Sequence, residues 1–170
     1  MDRRFLEYEG LVQSISAAAL QSMLHAPVRT ERIYLEADYL RGGQGPSDLV
    51  ESSRYQKSVS LQYPVFKLAP DVKEAAVEDT MHRLSTLRHT LREDTLRSSS
   101  EEALQLSEED AQQLVFEEGV PMVWAMVGIE NGVHMGYPGA AGYSADYDPR
   151  QRGWYQHAVG KTGPQWAAPY

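Results

Sequence analysis

Residues 121–138, PMVWAMVGIENGVHMGYP, limit what this chain can fold into more than any other stretch. An apolar run of strand length, PMVWAMVGI, meets ENG, turn chemistry in which Gly132 supplies a positive φ, and then a second short strand, VHMGYP. The pattern predicts a β-hairpin, and a hairpin commits its strands to antiparallel pairing.

Helical spacing dominates upstream. Phe5, Tyr8, Val12, Ile15, Ala19 and Met23 step by three and four, one helical face, and Pro27 fits the end of that helix. Arg32 to Leu40 reads as a short helical continuation before the Gly/Pro loop RGGQGPSD. In SVSLQYPVFKLAP, Val59, Leu61, Tyr63 and Val65 alternate with Ser60, Gln62 and Pro64, which predicts one strand that Pro64 places at an edge or kink. Asp71 to about Arg97 is the strongest helix, with Val77, Met81, Leu84, Leu87 and Leu91 on one face. EEALQLSEEDAQQLVFEEG reads as a further helix, in which Ser107 and Asp110 have capping-box spacing and Gly119 is the stop. After the hairpin come a loop, GAAGYSAD, a short helix with Asp148 as N-cap and Pro149 first, and a last strand, PQWAAPY.

Long helix, strand, helices, hairpin, short helix and strand make an α+β protein with an antiparallel sheet, not a doubly wound one. At 170 residues the chain suits a single domain with a real core. The hydrophobic content of 42% against 24% charged residues argues against wholesale disorder. A net charge of −8, with basic residues interleaved among acids, argues against a nucleic-acid partner. No segment approaches the roughly 20 apolar residues of a membrane span, and the start lacks a signal-peptide layout, so an exported form would carry its export signal elsewhere.

Catalytic chemistry finds no motif: no Cys, no nucleophile elbow, no phosphate-binding loop, and no metal-ligand spacing among His25, His82, His89, His134 and His157. The expectation is therefore a non-enzyme without metal or cofactor. The run DYDPRQRGWYQHA stands out instead, because the planar fork of Arg grips a carboxylate with two parallel bonds while Trp and Tyr offer apolar walls with polar edges. Its other reading is structural: Trp154 and Tyr155 as core aromatics, and Arg150 and Arg152 paired with Asp146 and Asp148 at a helix start.

The closing run VWAMVGIENGVHMGYPGAAGYSADYDPRQRGWYQHAVGKTGPQWAAPY resembles the double Cache family of extracytoplasmic sensor domains, through the hairpin, YP, YDPRQRGWY followed by HA, and a Trp before PY. A similar hairpin and arginine–aromatic run occur, more distantly, in the Cache region of calcium-channel alpha-2-delta subunits. The resemblance implies a PAS-like antiparallel sheet packed with helices, the membrane-distal lobe of such a sensor. Residues 1–30 would form its long N-terminal helix and residues 31–170 the ligand-binding lobe, truncated at its C-terminal end.

The spacing shared by amino-acid-sensing members of the family falls on Tyr147, Arg152, Trp154, Tyr155 and Tyr170. By that resemblance Arg152 and Trp154 hold a ligand carboxylate, and Tyr147, Tyr155 and Tyr170 line the pocket. The chain departs from the pattern at Gly153, where the family usually has Pro, and the family's Asp for the ligand amino group would lie beyond Tyr170. The implied protein is a module of a membrane-anchored receptor, chemoreceptor or sensor kinase, facing the periplasm or cell surface. It would bind a small carboxylate such as an amino acid, serve a signalling domain of its parent, and be able to pair through its N-terminal helix. The alternative is a structural or protein-interaction lobe with no small-molecule ligand.

Overall fold

The computed structural model describes residues 3–25, 27, 29–40 and 43–167. The side chain of Phe5 and residue Tyr170, both given roles above, lie outside the described residues. The architecture is α+β: the described residues form five α-helices with a two-stranded and a three-stranded antiparallel sheet, consistent with a PAS-like arrangement.

Helix α1 (Arg3–Leu24) is 22 residues, about 33 Å long. It packs on the domain through Ile15, Ala18, Ala19 and Met23, while Leu6, Val12, Leu20 and Leu24 stay exposed. Arg83 Nη1 donates to the Met23 carbonyl at 3.0 Å, satisfying one of the acceptors that a helix end leaves open. The segment Arg32–Leu40 forms only a 3-10 turn, Glu36–Tyr39, begun by a bond from Leu35 N–H to Asp38 Oδ2.

The single strand expected over SVSLQYPVFKLAP is two. Strand β1 (Val50–Ser52) pairs with β2 (Lys57–Val59), and β3 (Val65–Leu68) joins a different sheet. Pro64 has no N–H to donate, so the ladder breaks before it, and the Tyr39 hydroxyl, 3.1 Å from the Tyr63 and Pro64 carbonyls, serves the acceptors left there.

The helix expected from Asp71 to Arg97 is likewise two, α2 (Glu74–Ser85) and α3 (Arg88–Arg97). At the join, Ser85 Oγ donates to the His82 carbonyl and Thr86 Oγ1 to the Arg83 carbonyl, competing with the helical N–H donors. Both parts keep the expected face inward: Val77, Met81, Leu84, Leu87 and Leu91 are all buried. Farther on, Ser107 caps α4 (Glu108–Gln113), which widens into a π turn over Leu114–Glu118 and stops at Gly119, φ 95°.

Strands β4 (Ala125–Gly128) and β5 (Val133–Tyr137) form the expected hairpin, with Gly132 at φ 86°. The sheet order is β3-β5-β4, so β5 is central. Its register sets Met135 between Phe66 and Val127, and His134 between Lys67 and Gly128. Alternation then gives the sheet two characters: Phe66, Met135 and Tyr137 turn into the helical core, whereas Lys67, His134, Gly136 and Gly128 face the other way. Tyr137 is fully buried and donates its hydroxyl to the Leu61 carbonyl at 2.6 Å, tying the hairpin to the segment between β2 and β3.

After the hairpin the chain crosses the second sheet face. The short helix expected from Pro149 is split into a 3-10 turn, Pro149–Gln151, and α5 (Gly153–Ala158), with Arg152 extended between them. The last expected strand does not form among the described residues; Trp166 instead donates its indole N–H to Glu9 of α1 at 2.8 Å. No helix among the described residues is long and apolar enough to cross a membrane.

Replacing Tyr137 by Phe leaves the buried Leu61 carbonyl without its donor. Loss of about 2 kcal/mol of unfolding free energy is expected in urea titration, with an unchanged denaturant slope.

Candidate functional site

The second face of the sheet is built around a histidine. His134 is completely buried in the middle of β5, and each ring nitrogen meets a tyrosine: Nε2 lies 3.1 Å from the Tyr143 hydroxyl and Nδ1 3.3 Å from that of Tyr147. A neutral imidazole has one donor and one acceptor, so one hydroxyl donates to it and the other accepts from it. Burial pushes the His134 pKa down to about 4, and the positive charge of Arg152 adds to that shift.

Two glycines make room for the rings. A Cβ on Gly136 would collide with the Tyr143 hydroxyl, and one on Gly128 would lie 2.8 Å from the Trp154 ring. Tyr143, Tyr147 and His134 consequently meet edge to face at centroid separations of 4.8–5.0 Å. Trp154 stands 6.1 Å from His134 and 6.0 Å from Tyr155. The loop carrying Tyr143 is anchored by Glu36, whose Oε1 accepts from the backbone N–H of Gly142 and Tyr143 and whose Oε2 pairs with Lys67 Nζ at 2.7 Å. These donors hold the Glu36 carboxyl below its ordinary range against the opposing effect of burial.

The two arginines of the run divide sharply. Asp148 caps the 3-10 turn through Arg150 N–H and grips the Arg150 side chain with both oxygens, at 2.9 Å each, while Asp71 takes Nη2 at 2.6 Å. The Arg150 bond holds Asp148 below the usual carboxylate range. Arg152 is exposed and makes no salt bridge among the described residues; its guanidinium lies 5.4 Å from the centre of the Tyr147 ring. The structural pairing read from sequence thus holds for Arg150 with Asp148 and not for Arg152; the Asp146 carboxyl is held below its ordinary range chiefly by the Ser144 hydroxyl, with Arg152 the smallest contributor.

Of the five residues singled out by sequence, Tyr147, Arg152, Trp154 and Tyr155 come together on one side of the sheet. Sequence reasoning missed His134 and Tyr143. The signal for His134 was its position two residues before Gly136 in VHMGY, which sets both on one sheet face. Trp154 also borders a cleft of about 890 Å³, lined chiefly by α1, β4 and the segment 121–124 before it, with Ile15, Met126 and Trp166 on its walls. No group of three His, Asp or Glu able to hold a metal ion occurs among the described residues.

Because the folded His134 titrates about 4 and a free His near 6.5, the unfolded chain binds the extra proton between those values. The contribution is therefore present in full above about pH 6.5 and lost as pH falls toward 4, on the order of 3 kcal/mol in all. NMR titration of the imidazole should give the low value directly. The pH dependence of stability in this window should be shallower in His134→Gln, and equal slopes for the two proteins would refute the assignment.

Comparison with known proteins adds no relative: no family model, no curated protein and no solved structure matches the chain.

Proposed function

We propose that this chain is a Cache-like sensor lobe that binds a small carboxylate, most simply an amino acid, at the Arg152 side of the sheet. The observation that carries the reading is the contrast between the two arginines: Arg150 is neutralised by two carboxylates, whereas Arg152 keeps its charge exposed beside Tyr147. A guanidinium backed by an aromatic ring recognises a planar anion through paired N–H donors, and the adjoining rings cover its apolar part. The reading also draws on the antiparallel hairpin, the helices packed on one sheet face and the aromatic-rich loop on the other.

Binding requires no covalent step. A carboxylate on Arg152 would order that side chain against Tyr147 and press on Trp154, which reaches the cleft beside α1. Occupancy would then favour one position of α1 over another, the element from which a signalling domain of the parent protein could read it. Leu6, Leu20 and Leu24, exposed along one stripe of α1, suit pairing with a second copy. The same reading places the lobe outside the cytoplasm, on a membrane-anchored receptor.

Thermal denaturation of the purified chain against a panel of amino acids and simple carboxylates tests this directly. A binder raises the wild-type midpoint by mass action, and the shift should vanish in Arg152→Ala and shrink in Arg152→Lys. Silence across the panel, or a shift that survives in Arg152→Ala, would favour a structural lobe without a ligand.

A further inference from the structure

One tyrosine serves both the exposed arginine and the buried histidine. The ring of Tyr147 lies under the Arg152 guanidinium, 5.4 Å from Cζ to ring centre, while its hydroxyl stands 3.3 Å from His134 Nδ1. The same ring meets the imidazole edge to face at 4.9 Å, so a single side chain separates the solvent-exposed charge from the buried base.

The remaining groups around the imidazole are paired, uncharged or in solvent. Lys67, its register partner on β3, pairs with Glu36, which also accepts from the Gly142 and Tyr143 amides. The Tyr143 hydroxyl sits 3.1 Å from Nε2, and burial holds it in its protonated form. Gly128 lies opposite on β4, and Trp154 of α5 stands 6.1 Å away. Farther along the chain Asp148 and Arg150 offset one another, and Asp146 is exposed and bonded to the Ser144 hydroxyl. Among the described residues this leaves Arg152 as the cation beside His134 that makes no salt bridge, and its charge opposes a proton on the imidazole. Neutral, His134 donates to one tyrosine and accepts from the other; protonated, it donates to both, so the state of the ring decides how the Tyr147 hydroxyl is turned.

We propose that occupancy of Arg152 is proton-linked through Tyr147: a carboxylate seated there and a proton on His134 favour one another, so the site holds anions more tightly in acid. This linkage presupposes that Arg152 is the anion-binding group proposed above. An anion on the guanidinium offsets the charge that opposes the proton, and because coupling is reciprocal, it shifts the His134 titration upward by the same factor that acid strengthens binding. The folded imidazole titrates about 4 without ligand, so the gain in affinity appears as pH falls toward that value and is absent near neutrality. His134 acts as a positioning residue and does not touch the anion.

Trifluoroacetate is the probe, since its carboxylate stays ionised throughout the range in which His134 titrates. The imidazole resonances of the full chain are followed by NMR from neutral pH downward, with trifluoroacetate or with an equal concentration of chloride as the screening control. With trifluoroacetate the wild-type titration midpoint should rise by about 0.5, equivalent to about threefold tighter binding to the protonated form. In Arg152→Ala the midpoint should lie above the wild-type value without any probe and should not respond to trifluoroacetate, whereas Arg152→Lys, which keeps the charge, should stay near wild type. Equal midpoints in wild type and Arg152→Ala would overturn the linkage whatever the site binds, as would trifluoroacetate that shifts the Arg152 Nε–H resonance but not the midpoint. A raised midpoint in Arg152→Ala, with no response of Arg152 or His134 to the probe, would instead overturn Arg152 as the anion-binding group, and the linkage with it.

Discussion

A buried imidazole on the central strand is the constraint around which the second face of the sheet is arranged. His134 has no access to water, so both of its ring nitrogens need partners from the chain, and the tyrosines at 143 and 147 supply them. That requirement fixes the course of the loop after the hairpin. Glu36 and Lys67 hold the start of the loop, Asp148 ends it with a capped turn, and the two glycines keep the strand surface low enough for rings to lie on it.

The sheet therefore does two jobs with one set of strands. One face is a conventional apolar core, in which Phe66, Met135 and Tyr137 join the inward residues of α2, α3 and the π turn after α4. The other carries a polar and aromatic network that ends in an exposed guanidinium. Strand β5 belongs to both, which explains why all five of its residues are buried although one is a histidine.

Much of the helical core is legible in the sequence, since the five apolar residues of the 71–97 segment repeat at helical spacing and all are buried. The hairpin was equally plain, because Gly132 and the apolar runs beside it allow few other solutions. What escaped were interruptions caused by single side chains. Pro64 divides one expected strand between two sheets, and the Ser85 and Thr86 hydroxyls divide one expected helix. Within the candidate site, the family resemblance points to Arg152 and its aromatic neighbours, whereas His134 belongs to no motif and has no metal-ligand spacing. Its part as a hydrogen-bond hub depends on Tyr143 and Tyr147, which reach it only after the chain has folded back across the sheet.

The double grip on Arg150 has a consequence for its neighbour. With Asp148 and Asp71 immobilising that guanidinium, and Pro149 fixing the first torsion of the turn, the backbone entering Arg152 has little freedom left to lose. Were Arg152 to close on an anion as proposed, the entropy removed would be mostly that of its own rotamers, about 2 kcal/mol at most, not that of a whole loop. Two arginines so close together in sequence thus have unlike surroundings, Arg150 held by two carboxylates and Arg152 exposed beside Tyr147, so replacing Arg152 by Lys leaves the Arg150 contacts in place.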